Sequence, residues 1–355
     1  MTSLYSCKRV LITGGLGFLG SNLALRLVEL GAHVTLVDSC VEGCGSNLYN
    51  IDSAMTSVET LVASIAETER LAPVLRKADI VFNLAGEISH IHSMLSPERD
   101  LRLNNLDQIA FLSACKLFAP GIRVVYAGTR QIYGKPAYLP VDEQHPVNPV
   151  DFNGIHKLAA ETYHRLLTET GAIDAVTLRL TNVYGPRMAL NLPCQGFLGT
   201  FFRKGLCGEA IEVFGDGEQL RDPLYVDDAV DAFLRAGAAG VLPSRVYNVG
   251  GPEPLPLSAI AGMIASAGGR SGVLCRPFPN HLQNIDIGSY RSDCSRIREE
   301  LGWCPGVDFA QGVRQTLAYY RQCLEQYLDP VGISPVCSLD LHYGSLESTL
   351  VRNRA

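Results

Sequence analysis

The stretch Val10-Leu11-Ile12-Thr13-Gly14-Gly15-Leu16-Gly17-Phe18-Leu19-Gly20 decides the fold of this 355-residue chain. A short β-branched run turns through glycines directly into a helical pattern that continues over Asn22 to Leu30. Gly15, Gly17 and Gly20 fit one spacing of a phosphate-binding turn, and Gly14, Gly17 and Gly20 fit its wider variant. Glycine belongs there because the turn is tight and an anion must reach bare N–H groups at a helix N-terminus. It also lets the helix pack closely on the strand. A second strand-like run, Val34-Thr35-Leu36-Val37, ends at Asp38, close to the ~20-residue offset at which a carboxylate meets a ribose 2′-hydroxyl. Strand, glycines, helix and acid in this order predict a dinucleotide site containing Gly14, Gly17, Phe18, Leu19, Gly20 and Asp38. The Asp38 carboxylate would repel a 2′-phosphate and no basic residue follows it directly, so NAD is expected rather than NADP.

Further strand-like runs follow at Ile80-Val81-Phe82, Val124-Val125-Tyr126 and Val176-Thr177-Leu178-Arg179-Leu180, with helical spacing at Lys157 to Thr168. Strand and helix in alternation imply an α/β fold of the Rossmann type, a doubly wound parallel sheet covered on both faces. After Gly185-Pro186 the connections become rich in Gly and Pro, while Val246-Tyr247-Asn248-Val249 is again strand-like and is expected to return to the first sheet. The expected division is a dinucleotide-binding domain over 1–185 and 222–250, a smaller interleaved C-terminal lobe over 186–221 and 251–330, and a tail over 331–355 without clear period.

Composition narrows the function. Hydrophobic residues make up 47% and charged residues 19%, yet no apolar run approaches the length of a membrane span, so a membrane protein is not expected. The net charge of -6 includes no basic block, which argues against nucleic acid as a partner. The first seven residues carry no positive stretch followed by an apolar one, which predicts no secretory leader. Eleven cysteines, scattered and without paired metal-site spacing, suit a reduced, cytoplasmic setting and predict no metal site.

The segment Thr13 to Gly20 resembles the extended short-chain dehydrogenase/reductase family, in particular its nucleotide-sugar epimerases and dehydratases. Similar segments follow in the family's order: Asn83-Leu84-Ala85-Gly86, Gly128-Thr129 with Tyr133-Gly134, Lys157-Leu158-Ala159-Ala160-Glu161 and Asn182-Val183-Tyr184-Gly185-Pro186. Gly215-Asp216-Gly217, Arg221-Asp222, Tyr225-Val226-Asp227-Asp228 and Leu301-Gly302-Trp303 continue the series. The resemblance covers about residues 8 to 320. It implies NAD as a recycled cofactor contacting Leu84 and Ala85, a nucleoside diphosphate sugar held by the smaller lobe, and a homodimer formed through two helices of the large domain. By position, Thr129 matches the hydroxyl beside the reacting sugar carbon, and Lys157 matches the lysine at the nicotinamide ribose. Asn182 and Arg221 match residues that hold the sugar diphosphate, and Asp286 an acid near the nucleoside. A guanidinium is also the natural bidentate partner of phosphate, which supports Arg221 independently.

Two departures bear on the chemistry. The family places a tyrosine four residues before the lysine, on the same helix face, but here Asn153-Gly154-Ile155-His156-Lys157 has asparagine. Asparagine hydrogen-bonds but does not ionise, so another group must accept the proton of an oxidised hydroxyl. His92, His156 and Tyr133 are the local candidates, and a relay through Thr129 is an alternative. Where the family's dehydratases carry Asp then Glu after the threonine, this chain has Arg130 and Gln131. Elimination therefore lacks its acid and base, while epimerisation loses less, and Arg130 is a candidate for holding a carboxylate on the sugar. Ser64 replaces an acid at the adenine edge. The expected activity is that of an NAD-dependent nucleotide-sugar epimerase, with a dehydratase or net oxidoreductase, or a non-catalytic sugar-nucleotide binder retaining NAD, as alternatives.

Overall fold

Seven parallel strands form the central sheet of the computed structural model, which describes residues 1–192, 196–269, 272–279 and 285–328. The expected tail over 331–355 lies outside the described residues. The strands are β1 (Arg9–Thr13), β2 (His33–Asp38), β3 (Val58–Val62), β4 (Ile80–Asn83), β5 (Arg123–Thr129), β6 (Asp174–Leu180) and β7 (Val246–Val249). Their spatial order is β3-β2-β1-β4-β5-β6-β7, with every neighbouring pair parallel. The strand-like run at Val246 thus pairs with β6, Val246 opposite Thr177. The edge strand β3 went unrecognised in the sequence because half-exposed and exposed residues fill it, leaving no apolar pattern.

Alternate residues of the strands feed two cores, as the two-residue period of a strand requires. Val10 and Ile12 of β1 join one cluster, and Leu11 joins the other with Val37, Val81, Phe111 and Val124. The first cluster runs without a break into the smaller lobe through Phe202, Ile211, Ile260 and Val313. Four helices matter for the site: α1 (Phe18–Glu29), α2 (Asp107–Phe118), α3 (Phe152–Glu169) and α4 (Val226–Ala238). The lobe is pinned to α4 by buried Trp303, whose indole N–H donates to Asp228 O at 2.9 Å, while the Asp228 carboxylate accepts the N–H groups of Gly306 and Val307.

The sequence order reverses on either side of β1, which is flanked by β2 and β4. A crevice therefore opens at the carboxyl ends of β1 and β4, the usual ligand position in such sheets. Thr13 ties these ends together: its hydroxyl donates to Asn83 Oδ1 at 2.7 Å and accepts from the N–H groups of Leu84 and Ala85. Asn83 Nδ2 continues inward to Gln108 Oε1 at 2.7 Å and to His164 Nε2 at 3.0 Å.

His164 of α3 is sealed beneath this knot, stacked on Tyr126. Burial pushes its imidazole down from 6.5 to about 4; the Ala160 carbonyl that its Nδ1–H meets pulls the other way, and the Lys157 charge lowers it further. A lowered folded-state value means the unfolded chain binds the extra proton first, so this contribution to stability is complete above about pH 6.5 and is lost as pH falls towards 4. In urea unfolding across that window, His164→Gln is expected to show a flatter loss of stability than the wild type. Parallel curves would show that His164 does not titrate as its burial requires.

Candidate active site

The glycine turn is shaped by two distinct demands. Gly14 has φ +66°, and a Cβ there would lie 3.0 Å from the backbone of Leu84 and Ala85. A Cβ on Gly20 would sit 2.2 Å from Gly14 O, so α1 packs on the turn only because that residue has no side chain. Gly17 differs: a Cβ would meet only Gly14 O, at 3.3 Å, and would otherwise point into the cleft. Gly17 is the N-cap of α1, whose first turn has no side-chain cap and no acidic residue. That leaves a helix N-terminus open to an anion, the donor set a pyrophosphate requires.

Asp38 at the end of β2 is buried and faces the same cleft. Its Oδ2 accepts from Leu16 N–H at 3.0 Å, and its Oδ1 accepts from Cys40 N–H at 2.9 Å and Ser46 Oγ–H at 2.7 Å. The carboxylate thereby locks the glycine turn to the loop that follows β2. Phe18, Leu19, Ser64, Leu84 and Ala85 line the rest of the cleft, so the residues expected to contact NAD are brought together. The open helix end, the acid and the apolar walls fit the dinucleotide.

Beyond the cleft, β5 ends at Thr129, whose Oγ1 accepts from Gln131 N–H at 3.2 Å and starts the turn Arg130–Tyr133. Lys157 projects from α3 towards the loop after β4; a Cβ on Gly86 would lie 2.8 Å from its Nζ and 2.5 Å from Asn104 Oδ1. Burial pushes the Lys157 ammonium down to about 8, against the pull of Asp100 and Glu87. Asn104 and its neighbour Asn105 are both buried, because Arg102–Leu106 forms a π-helical turn between the short helix Pro97–Leu101 and α2.

Asn153 and the groups expected as proton acceptors are placed differently from one another. Asn153 donates both to Glu87 O and to Asp100 Oδ2, each at 2.9 Å. His156, expected to turn partly towards the site, instead presents Nδ1 to Asp100 Oδ1 at 2.6 Å and is nearly buried. Tyr133 is buried in the core, where its hydroxyl donates to Asn248 Oδ1 and accepts from Arg179, and burial pushes it up to about 12. His92 lies on the helix His90–Leu95, its backbone N–H bound to the Ser89 cap. The sequence reading passed over His90, whose Nδ1 is 2.9 Å from Asp151 Oδ2. Its signal was the loop position it shares with His92, together with an aspartate just ahead of the α3 pattern.

A polar group also gathers at the lobe side. Arg130 is buried over the Tyr290 ring, 4.9 Å from its centroid, and donates to Asn182 Oδ1 at 3.2 Å, while its Nη1 has no hydrogen-bond partner among the described residues. Arg221 donates to the carbonyls of Leu220 and Gly288 and lies 3.8 Å from Asp286. Burial and the nearby Arg130 charge push Arg221 down to about 10. Burial pushes Asp222 up to about 6, although Ser292 N–H donates to its Oδ2.

Fold and cleft together define a dinucleotide-binding enzyme class with a separate cluster of polar side chains, largely buried, at the lobe. The family model for the NAD-dependent epimerase/dehydratase family matches residues 10–250. The UDP-glucose 4-epimerase of Mycolicibacterium smegmatis is 32% identical over 316 residues, covering 88% of this chain and 98% of that protein. UDP-glucuronic acid decarboxylase 1 of Xenopus tropicalis is 29% identical over 324 residues, 90% of this chain and 73% of that protein. The crystal structure of Thermotoga maritima UDP-glucose 4-epimerase with UDP-glucose superposes with a TM-score of 0.80 at 27% identity, covering 89% of this chain and 99% of that one. The chain belongs to the NAD-dependent epimerase/dehydratase family, and NAD is its cofactor. No helix of the described residues is long and apolar enough to cross a membrane.

The contrast between two glycines tests the cradle. Gly17→Ala is expected to leave the melting temperature of NAD-free protein nearly unchanged while weakening NAD binding by calorimetry at least about tenfold, since the methyl group occupies the anion's approach. Gly20→Ala is expected to lower the melting temperature itself. Equal NAD affinity in wild type and Gly17→Ala would remove the glycine turn from the cofactor site.

Proposed function

We propose that the chain is a nucleotide-sugar epimerase that transiently oxidises a sugar hydroxyl to a ketone and returns the hydride to the opposite face, with a base other than tyrosine. The observation that carries this reading is that the NAD cleft, Thr129 and Asn182 follow the carboxyl ends of strands of one sheet, with Lys157 on the helix between β5 and β6 and Arg130 bonded to Asn182. Bound NAD supplies a hydride acceptor that is regenerated within the cycle. Asp38 holds the adenosine ribose and disfavours a 2′-phosphate. Lys157, with its ammonium near neutrality, binds the nicotinamide ribose and lowers the cost of negative charge beside it. Thr129 orients the reacting hydroxyl, and Asn153 keeps the start of α3 against Asp100. Asn182 and Arg221 hold the diphosphate, with Asp286 towards the nucleoside.

The half-satisfied guanidinium of Arg130 favours one refinement, a sugar bearing a carboxylate. A buried guanidinium with an unpaired N–H is costly unless an anion or acceptor completes it. Incubation with UDP-glucose, UDP-glucuronic acid, UDP-N-acetylglucosamine and dTDP-glucose, followed by mass and NMR analysis, is expected to yield an epimer of unchanged mass from UDP-glucuronic acid. Arg130→Gln is expected to weaken binding of that sugar more than binding of UDP-glucose, by about tenfold or more. Loss of water or of carbon dioxide would place the protein among dehydratases or decarboxylases, and tight binding without product would make it a binder.

Free thiols at the described cysteines suit the reducing cytoplasm. The outer faces of α2 and α3 carry exposed Ile109, Leu117, Ile155 and Leu166, and we assign them to a homodimer contact. Light scattering is expected to give twice the 38.5 kDa chain mass, and Leu117→Glu with Leu166→Glu to give the monomer.

A further inference from the structure

Oxidation of a hydroxyl needs a proton acceptor, and the position that normally supplies one holds Asn153, already bonded to Asp100 and Glu87. His90 satisfies the requirement instead. It opens the short helix His90–Leu95, and His92, two residues on, projects about 200° away at 100° per residue. One side of the His90 ring is fixed by Asp151, whose side chain is 2% exposed. Asp151 serves two partners: Oδ1 accepts Gly154 N–H at 2.7 Å and caps α3, and Oδ2 faces His90 Nδ1 at 2.9 Å. The other ring nitrogen, Nε2, meets the side-chain amide of Gln131, two residues beyond Thr129.

A carboxylate only accepts, so Nδ1 carries the proton and Nε2 presents a lone pair, into which the Gln131 N–H donates. Gln131 Oε1 is buried without a hydrogen-bond partner among the described residues. Rotation of the amide by half a turn exchanges its two ends, so the same side chain donates to a neutral His90 and accepts from a protonated one. The turn after β5 also packs closely on the start of α3: a Cβ on Gly154 would lie 3.1 Å from the backbone carbonyl oxygen of Gln131. Burial opposes ionisation of Asp151, yet the His90 bond and charge, the Gly154 N–H and the Arg130 charge together hold its carboxyl below the usual range. It is therefore ionised when it faces the ring.

We propose that His90, oriented by Asp151 and accompanied by Gln131, is the acid–base residue of this site. The substrate hydroxyl takes the place of the Gln131 amide at Nε2. As the sugar C–H bond breaks and its electron pair leaves as hydride to NAD, the O–H proton passes to Nε2 and the C=O bond forms. In the return step carbon regains hydride, oxygen regains the proton from Nε2–H, and no net oxidation remains. The proposal rests on the epimerase reading, but its failure can be told apart from failure of that reading.

The NAD-loaded full chain is labelled with 15N-histidine and compared with His90→Gln and Asp151→Asn. The wild-type His90 ring is expected as the Nδ1–H tautomer near pH 8 (about one unit or more above an ordinary imidazole). Asp151→Asn keeps an oxygen for the Gly154 cap but turns the amide group to the ring, so the tautomer is expected to invert to Nε2–H. With UDP-glucuronic acid or UDP-glucose as substrate, His90→Gln is expected to lower kcat about 10²- to 10⁴-fold with little change in KM, and added imidazole to restore part of it. Turnover of His90→Gln within about threefold of wild type, or an Nε2–H tautomer in the wild type, overturns the proposal. A wild type that binds neither nucleotide sugar sinks the epimerase reading instead, and the tautomer alone then decides for or against the His90–Asp151 pair.

Discussion

The orientation of α3 depends on one buried ion pair. Arg179, next to the C-terminal end of β6, reaches Glu161 of α3 through two nitrogens, at 3.0 and 2.5 Å, with both side chains 8% exposed. Its third nitrogen donates to the Tyr133 hydroxyl, which continues to Asn248 of β7 and from there to Val141 O. One chain of donors thus binds the helix, two strands and the turn after β5. Breaking such a pair by removing one partner typically costs about 3–5 kcal/mol, because the remaining charge stays buried. Lys157, Glu161 and His164 follow at four- and three-residue steps, so the pair fixes the face of α3 that carries the lysine to the cleft.

With that face fixed, Asn153 and His156 gather around Asp100. This carboxylate, 1% exposed, binds Asn153 with one oxygen and His156 with the other. It also contributes to the potential felt by Lys157. The start of α3 is therefore held by a neutral amide and an imidazole on Asp100 and by the Asp151 cap. On the lobe side an arginine and a glutamine follow Thr129, and the buried Arg130 guanidinium, bonded to Asn182, makes this corner one that attracts negative charge.

Legibility in the sequence followed the range of the forces involved. The glycine turn and Asp38 could be read because their spacing is set by local backbone geometry, and the cleft gathers those residues as expected. The strand Val246–Val249 was readable as a run, whereas its pairing with β6 depends on a contact some seventy residues distant. Exposed β3 left no pattern. That His90 faces Asp151 depends on where a six-residue helix begins, which Ser89 sets by capping it, and no periodicity reports that. Asp151 was visible as a polar residue ahead of a helix, but its second oxygen finds a partner sixty-one positions away.

The π-helical turn at Arg102–Leu106 makes this stretch sensitive to length as well as to composition. A π turn holds one residue more than the α-helical turn it replaces, and here the surplus keeps both Asn104 and Asn105 in the interior. Deleting a single residue between 102 and 106 would restore regular winding and, because a π turn rotates the chain about as far as the shorter α turn, would leave Asp107 to Phe118 on nearly the same face. Phe111, Leu112 and Cys115 would stay in the core, and the loss would fall on the buried pair Asn104 and Asn105. A change of length here is therefore felt in the polar interior beside Gly86 rather than in the apolar layer behind α2.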